Sequence, residues 1–198
     1  MQGRWMTRLA IVPAALALLL AAAPTASAAP TEFFGIAQGA NRLGDQDAQG
    51  IAAAKVRTER FLLHWPTLQP SRGGAIDWAA TDQFVGRLAS HGIRPVPFLW
   101  GSPRWVAPKF GHPPLDSAAD EQAWRDFVQA AVARYGRGGS YWDNGYPQEY
   151  GSDAVPLPIH AWQVWNEPNL PKYFSPSPSP TASSPSGSTS SGPPGPWS

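Results

Sequence analysis

Cysteine is absent from all 198 residues, which excludes disulfides, thiolate metal sites and cysteine nucleophiles. Charge is scarce too: Asp, Glu, Lys and Arg make up 15% of the chain, and 15 basic residues face 14 acidic ones. Such a balance leaves no basic surplus for nucleic acid or an anionic lipid surface. The histidines at 64, 91, 112 and 160 fit no metal-ligand spacing. Asp45-Gln-Asp-Ala-Gln-Gly50 opens like a calcium loop, but Val56 stands where the bidentate Glu belongs. Gly136-Arg-Gly-Gly139 lacks the Lys-Ser/Thr pair of a phosphate loop, and no nucleophile elbow surrounds Ser102. Neither a metal nor a cofactor is expected.

Long apolar runs are nearly absent as well. The exception, Ile11 to Ala23, lies behind Arg4 and Arg8 and ahead of Ala26-Ser27-Ala28, the order of a secretory signal with its cleavage site. Residues 1–28 are therefore expected to be removed, with a retained anchor as the alternative. Without Arg4 and Arg8, 13 basic residues face 14 acidic ones, a net charge of −1. A secreted chain without cysteine needs an ordinary hydrophobic core, which suits a larger domain. Twelve arginines against three lysines, with many alanines, suit a GC-rich bacterial source.

What is present alternates between strand and helix signals. Glu32-Phe-Phe-Gly-Ile-Ala37 reads as a first strand. A helix follows, capped by Asp45 or Asp47 and carried on by Ala48, Ile51, Ala52 and Lys55. Residues 56–65 form a second strand with Arg60, Leu62 and His64 on one face and Phe61, Leu63 and Trp65 on the other. Arginine is seldom buried unpaired, so Arg60 calls for a carboxylate partner, unless Arg57 takes that place or a surface pair with Glu59 satisfies the charge. A second helix runs from an Asp77 cap to Gly92, with Trp78, Val85, Leu88 and Ala89 inward and His91 at its end. Residues 93–100 make a third strand despite Pro95 and Pro97, whose missing N–H groups must fall where the ladder does not need them. Ser117 and Asp120 open a third helix that carries Trp124, Phe127, Val128, Ala131 and Tyr135 to Gly136. A long loop over 137–156 is expected to shape a cleft.

The apolar run from Ile159 to Trp165 reads as a fourth strand ending on Asn166-Glu167-Pro168-Asn169. Proline cannot extend the ladder and pushes Glu167 toward extended geometry. Trp162, Trp165 and Pro168 are expected to desolvate the Glu167 carboxylate and raise its pKa toward a general acid's range. Neighbouring side chains on a strand point apart, so Asn166 and Glu167 can reach one site only if the chain bends before Pro168.

Trp165-Asn-Glu-Pro-Asn169 resembles the acid/base segment of clan A glycoside hydrolases, the (β/α)8-barrel glycosidases, most closely their family 39 xylosidase-like and family 5 cellulase-like members. Gly101-Ser-Pro-Arg-Trp105 is similar to their Gly-Thr-Pro-x-Trp loop, and Arg60, Trp65 and Thr67-Leu-Gln-Pro70 resemble their second-strand pattern. The resemblance implies Glu167 as general acid/base and Asn166 as a ligand of the hydroxyl beside the anomeric carbon. It places Arg60 near the nucleophile, with His64, Trp65, Trp100 and Trp105 around the sugar, although Trp100 and Trp105 also suit core packing. The implied fold is α/β, parallel β/α units like the first half of a (β/α)8 barrel over residues 29–170, truncated after the fourth strand.

Retaining glycosidases need a second carboxylate, and the family's comes from a seventh strand that this sequence lacks. Glu59, Asp143, Glu149 and Asp153 follow no strand end. The reading is thus a secreted retaining glycosidase relative, catalytically incomplete, acting on carbohydrate. The alternatives are a non-catalytic carbohydrate-binding or surface module, and a half-barrel that self-associates through open sheet edges. Residues 171–198 hold eight prolines, ten serines and no acid, either a linker or the product of a lost reading frame.

Overall fold

A computed structural model describes residues 30, 33–37 and 41–175. The expected signal, Glu32 and the Pro/Ser-rich stretch from 176 onward lie outside the described residues. In chain order the elements are β1 (Gly35–Ala37), α1 (Asp45–Ala53), β2 (Thr58–His64), α2 (Trp65–Leu68), α3 (Ala79–Ser90), β3 (Arg94–Trp100), α4 (Ala118–Tyr135), a π-helical turn (Tyr141–Gly145), α5 (Tyr146–Tyr150) and β4 (Gln163–Val164). The strands form one parallel sheet in the order β1-β2-β3-β4, so the expected α/β class of parallel units is the one found.

Period-two alternation decides the sheet's two faces. Along β2 and β3 every second residue is buried and the intervening ones are half-buried. Glu59, Phe61, Leu63, Pro95, Pro97 and Leu99 face the helices, while Arg60, Leu62, His64, Phe98 and Trp100 share the other face. The core lies on the helix side, where Phe61 meets Phe84 of α3 and Trp65 stacks on Phe127 of α4. Burying each such ring is worth roughly 2–3 kcal/mol.

The prolines of β3 are tolerated for the reason the sequence demanded. Main-chain polar groups of a parallel strand turn to alternate neighbours. Arg94 N–H donates toward β2, to Arg57 O, and Leu99 O accepts from Trp165 N on the β4 side. Pro95 and Pro97 are in phase with Leu99, and β4 pairs only with Phe98 and Leu99. Their missing donors therefore face a stretch of edge with no strand beside it among the described residues.

Caps explain most element ends. Ser117 Oγ accepts the Asp120 N–H at 3.1 Å, as expected, and α4 stops at Gly136. Asp77 Oδ1 accepts from Ala79 N at 3.0 Å, and Gly92 at φ +68° follows the end of α3. At α1 the cap is Gly44, not an aspartate; Asp47 reaches back to accept the Gly44 N–H at 2.9 Å. Lys55, expected in that helix, lies beyond it at φ +62°.

Two further expectations are corrected. Residues 137–156 do not shape a cleft: Tyr141, Trp142 and Tyr146 are buried, and Tyr141 Oη donates to Asp82 O of α3 at 2.8 Å. A helix-to-strand connection in a parallel sheet runs at the strands' amino ends, away from where such folds bind ligands. The fourth strand is also shorter than the apolar run, two residues instead of seven. Val164 pairs with helix-facing Leu99 yet is 61% exposed, because no helix covers this face of β4 among the described residues.

Candidate functional site at the carboxyl ends of β2–β4

The segment that carries Glu167 leaves the sheet through a bend built without glycine. Trp165 adopts φ +66° and Glu167 φ +43°, a left-handed conformation that costs a non-glycine residue about 1 kcal/mol or more. Gln163 holds the bend: its Nε2 donates to Trp165 O at 2.9 Å and its Oε1 accepts from Arg60 Nε at 2.9 Å. Arg60 Nη2 then donates to Asn166 Oδ1 at 2.8 Å, and Asn166 Nδ2 donates to Glu167 Oε2 at 3.2 Å. The guanidinium lies 3.8 Å from the Phe98 ring centroid, a desolvated contact that firms its position. The required bend is present, and it starts at Trp165, three residues before Pro168.

Arg60 thus satisfies its charge with two amides and an aromatic face rather than the expected carboxylate. Glu59 is fully buried on the helix side, so no surface Arg60–Glu59 pair exists. The expected desolvation of Glu167 is not found either. The bend sends the Trp165 ring into the core beside Trp124 and Phe174, its Nε1 donating to Tyr173 O at 2.6 Å. Glu167 and Pro168 are left exposed.

His64 and Trp100 lie on the same face at the ends of β2 and β3, ring centroids 5.9 Å apart. His64 shares a 2.7 Å hydrogen bond with Thr67 Oγ1, and burial holds its pKa below the ordinary 6.5. Gly101, at φ +90°, lets the chain pass this ring; a Cβ there would sit 3.1 Å from it. Trp100 also meets Phe110 and Tyr173, and its buried Nε1 has no hydrogen-bond partner among the described residues.

Trp65 and Trp105 are not part of this group. Trp65 is fully buried, opens α2 instead of ending β2, and donates its Nε1 to Gln69 Oε1. Trp105 packs edge-on against it and lies under Arg72, with Nε1 tied to Gln69 O. Both serve the core and its rim, where neither ring presents a free face like that needed for sugar stacking. The structure so brings together Arg60, Asn166 and Glu167, and separately His64 and Trp100.

Gln163, Phe98, Phe110 and Tyr173 were missed from sequence. Only Gln163 left a signal, as a polar side chain inside an apolar run. Two clefts flank the group: one of about 570 Å3 beside His64 and Asn41, and one of about 520 Å3 between Phe110 and Lys172. No group of His, Asp or Glu suited to a metal ion occurs among the described residues, and no described helix is long and apolar enough to cross a membrane.

No family model and no curated protein matches the sequence. Among solved structures, a family 39 glycoside hydrolase from the gut symbiont Bacteroides cellulosilyticus superposes with a TM-score of 0.50 at 20% identity, over 71% of this chain and 25% of its own. GH5_18 structures from Bifidobacterium longum subsp. longum and subsp. infantis both reach 0.39, at 21% and 18% identity. They are covered over 23% and 26% of their lengths by 44% and 61% of this chain. The chain spans about a quarter of the length of these structures. Its four parallel strands and their helices share the β/α fold of a (β/α)8-barrel glycoside hydrolase over that part.

Proposed function

We propose that the chain carries the acid/base portion of a retaining glycoside-hydrolase site, with carbohydrate as its ligand and the cell exterior as its location. The supporting observation is the hydrogen-bonded series Gln163–Arg60–Asn166–Glu167, which runs from within the sheet to Glu167 just past the carboxyl end of β4, the end at which barrel enzymes place their chemistry. Glu167 serves as proton donor to the leaving oxygen. With Asn166 Oδ1 engaged by Arg60, its Nδ2 is presented as a donor to Glu167 and to a sugar hydroxyl. A bound sugar ring supplies the apolar surroundings that the exposed carboxylate lacks.

Retaining hydrolysis needs a second carboxylate about 5–5.5 Å from the first. Glu59 faces the helices, and Asp143, Glu149 and Asp153 belong to the connection at the strands' other ends. The chain by itself therefore binds saccharide without turning it over. The test is to assay the purified full chain against activated aryl glycosides and to titrate it with oligosaccharides. Binding weakened by Asn166→Ala, without hydrolysis, supports the reading. Turnover abolished by Glu167→Gln would show the site to be complete, and failure to bind any saccharide would overturn the carbohydrate assignment.

A further inference from the structure

The cleft of about 520 Å3 lies between the loop after β3 and the segment after β4, with Pro66 of α2 as its third wall. Its geometry is fastened rather than incidental. Ser175 N donates to Gly111 O at 3.0 Å, Trp165 Nε1 holds Tyr173 O, and Trp100 packs on the Tyr173 ring. A Cβ on Gly111 would lie 2.7 Å from Lys172 O, so only glycine permits the two main chains to approach this closely.

Arg104, Lys109 and Lys172 all line this cleft, and no carboxylate does. Three arginines elsewhere are each paired with a carboxylate: Arg72 with Asp120, Arg125 with Glu121, Arg134 with Asp82. Arg104 and Lys109 make no ion pair or hydrogen bond among the described residues, and Lys172 has only the Tyr173 ring, at 5.1 Å. The described residues hold as many acids as bases, so three unmatched cations in one cleft are a local concentration of charge, not a reflection of composition. Between them Phe110 stands 48% exposed.

A cleft lined by one sign of charge focuses its field and gathers the opposite charge. A guanidinium grips a planar oxyanion with paired donors, and an ammonium adds a point charge. An exposed aromatic ring beside them offers a flat apolar surface for a pyranose.

We propose that this cleft binds an acidic sugar residue, its carboxylate or sulfate held by Arg104, Lys109 and Lys172 and its ring laid against Phe110. The assignment names the substrate class for the carbohydrate reading and rests on it. The experiment is calorimetric titration of the full chain with three oligosaccharides of equal length, one neutral, one uronate-containing and one sulfated, and with inorganic sulfate. At low salt an acidic saccharide binds about tenfold or more tightly than the neutral one, and added salt shrinks the advantage. The triple variant Arg104→Gln, Lys109→Gln, Lys172→Gln abolishes the advantage without lowering the unfolding temperature, because all three side chains are exposed. The uronate and sulfate arms tell which oxyanion is preferred. Equal affinity for neutral and acidic saccharides, or an undiminished advantage in the triple variant, overturns the inference and leaves the carbohydrate reading standing. Inorganic sulfate bound as tightly as the sulfated saccharide also overturns it, in favour of a bare anion site. Failure of every saccharide overturns both.

Discussion

The two faces of the sheet are made from alternate residues of the same strands, yet they are satisfied in opposite ways. On the helix face, Phe61, Leu63 and Leu99 are buried among aromatic rings of α3 and α4, and contact there is nonspecific and dense. On the open face, Arg60, Gln163, Asn166 and Glu167 are joined by directional hydrogen bonds around a single ring, Phe98. Burial holds the first face together, whereas the second holds a geometry. Substitutions on the helix face should therefore cost stability, and those on the open face should cost position and binding.

Trp65→Ala gives the largest effect, because Trp65 is fully buried between Trp105, Trp124 and Phe127. A loss of about 3–5 kcal/mol in urea unfolding is expected. Unchanged stability with lost saccharide binding would return Trp65 to the site and break the comparison.

Asp82→Asn comes next. Arg134 grips this carboxylate with both Nε and Nη2, and Tyr135 Oη donates to it at 2.6 Å, joining α3 to α4. Burial first, and then the hydrogen bond to the Asp82 carboxylate, hold the Tyr135 hydroxyl's pKa well above its ordinary value. Removing the charge should cost roughly 2 kcal/mol, less than a fully enclosed pair because both side chains keep some solvent contact. Chemical denaturation of the variant measures it.

On the open face, Gln163→Leu should cost only about 1 kcal/mol while freeing the Trp165–Glu167 bend. Amide exchange at Asn166 and Glu167 should accelerate while that of Phe61 and Leu63 does not change. Equal acceleration on both faces would mean that the bend is not held locally.

The smallest effect concerns His64. Its folded pKa lies below the 6.5 of the free side chain because burial disfavours the cation. The unfolded chain therefore takes up the proton more readily. This contribution to stability is complete above pH 6.5 and is lost as the pH falls toward the depressed folded value. An NMR titration of the His64 ring should give a midpoint below 6.5, and His64→Gln should flatten that part of the stability profile.

Much of the helix face was legible from sequence, because burial leaves a periodic trace. The alternation in residues 58–64 and 94–100 and the Ser117 cap are where local spacing puts them. The open face was legible only in its residue types. Asn166 and Glu167 stood out, but Arg60 was expected to meet a carboxylate and instead meets Gln163, 103 residues away. Trp65, read as strand, is drawn into a short helix, where Pro66 occupies a first-turn position that needs no N–H.

The chain's own order of residues determined the parallel β/α class, the two-faced strands and the placement of Glu167 at a strand end, since each follows from periodicity and from the local effects of proline and glycine. Tertiary structure alone decided which tryptophans are core, that Glu167 stands in solvent, and that Arg104, Lys109 and Lys172 converge on one cleft. These depend on contacts between residues distant along the chain, which no local pattern encodes.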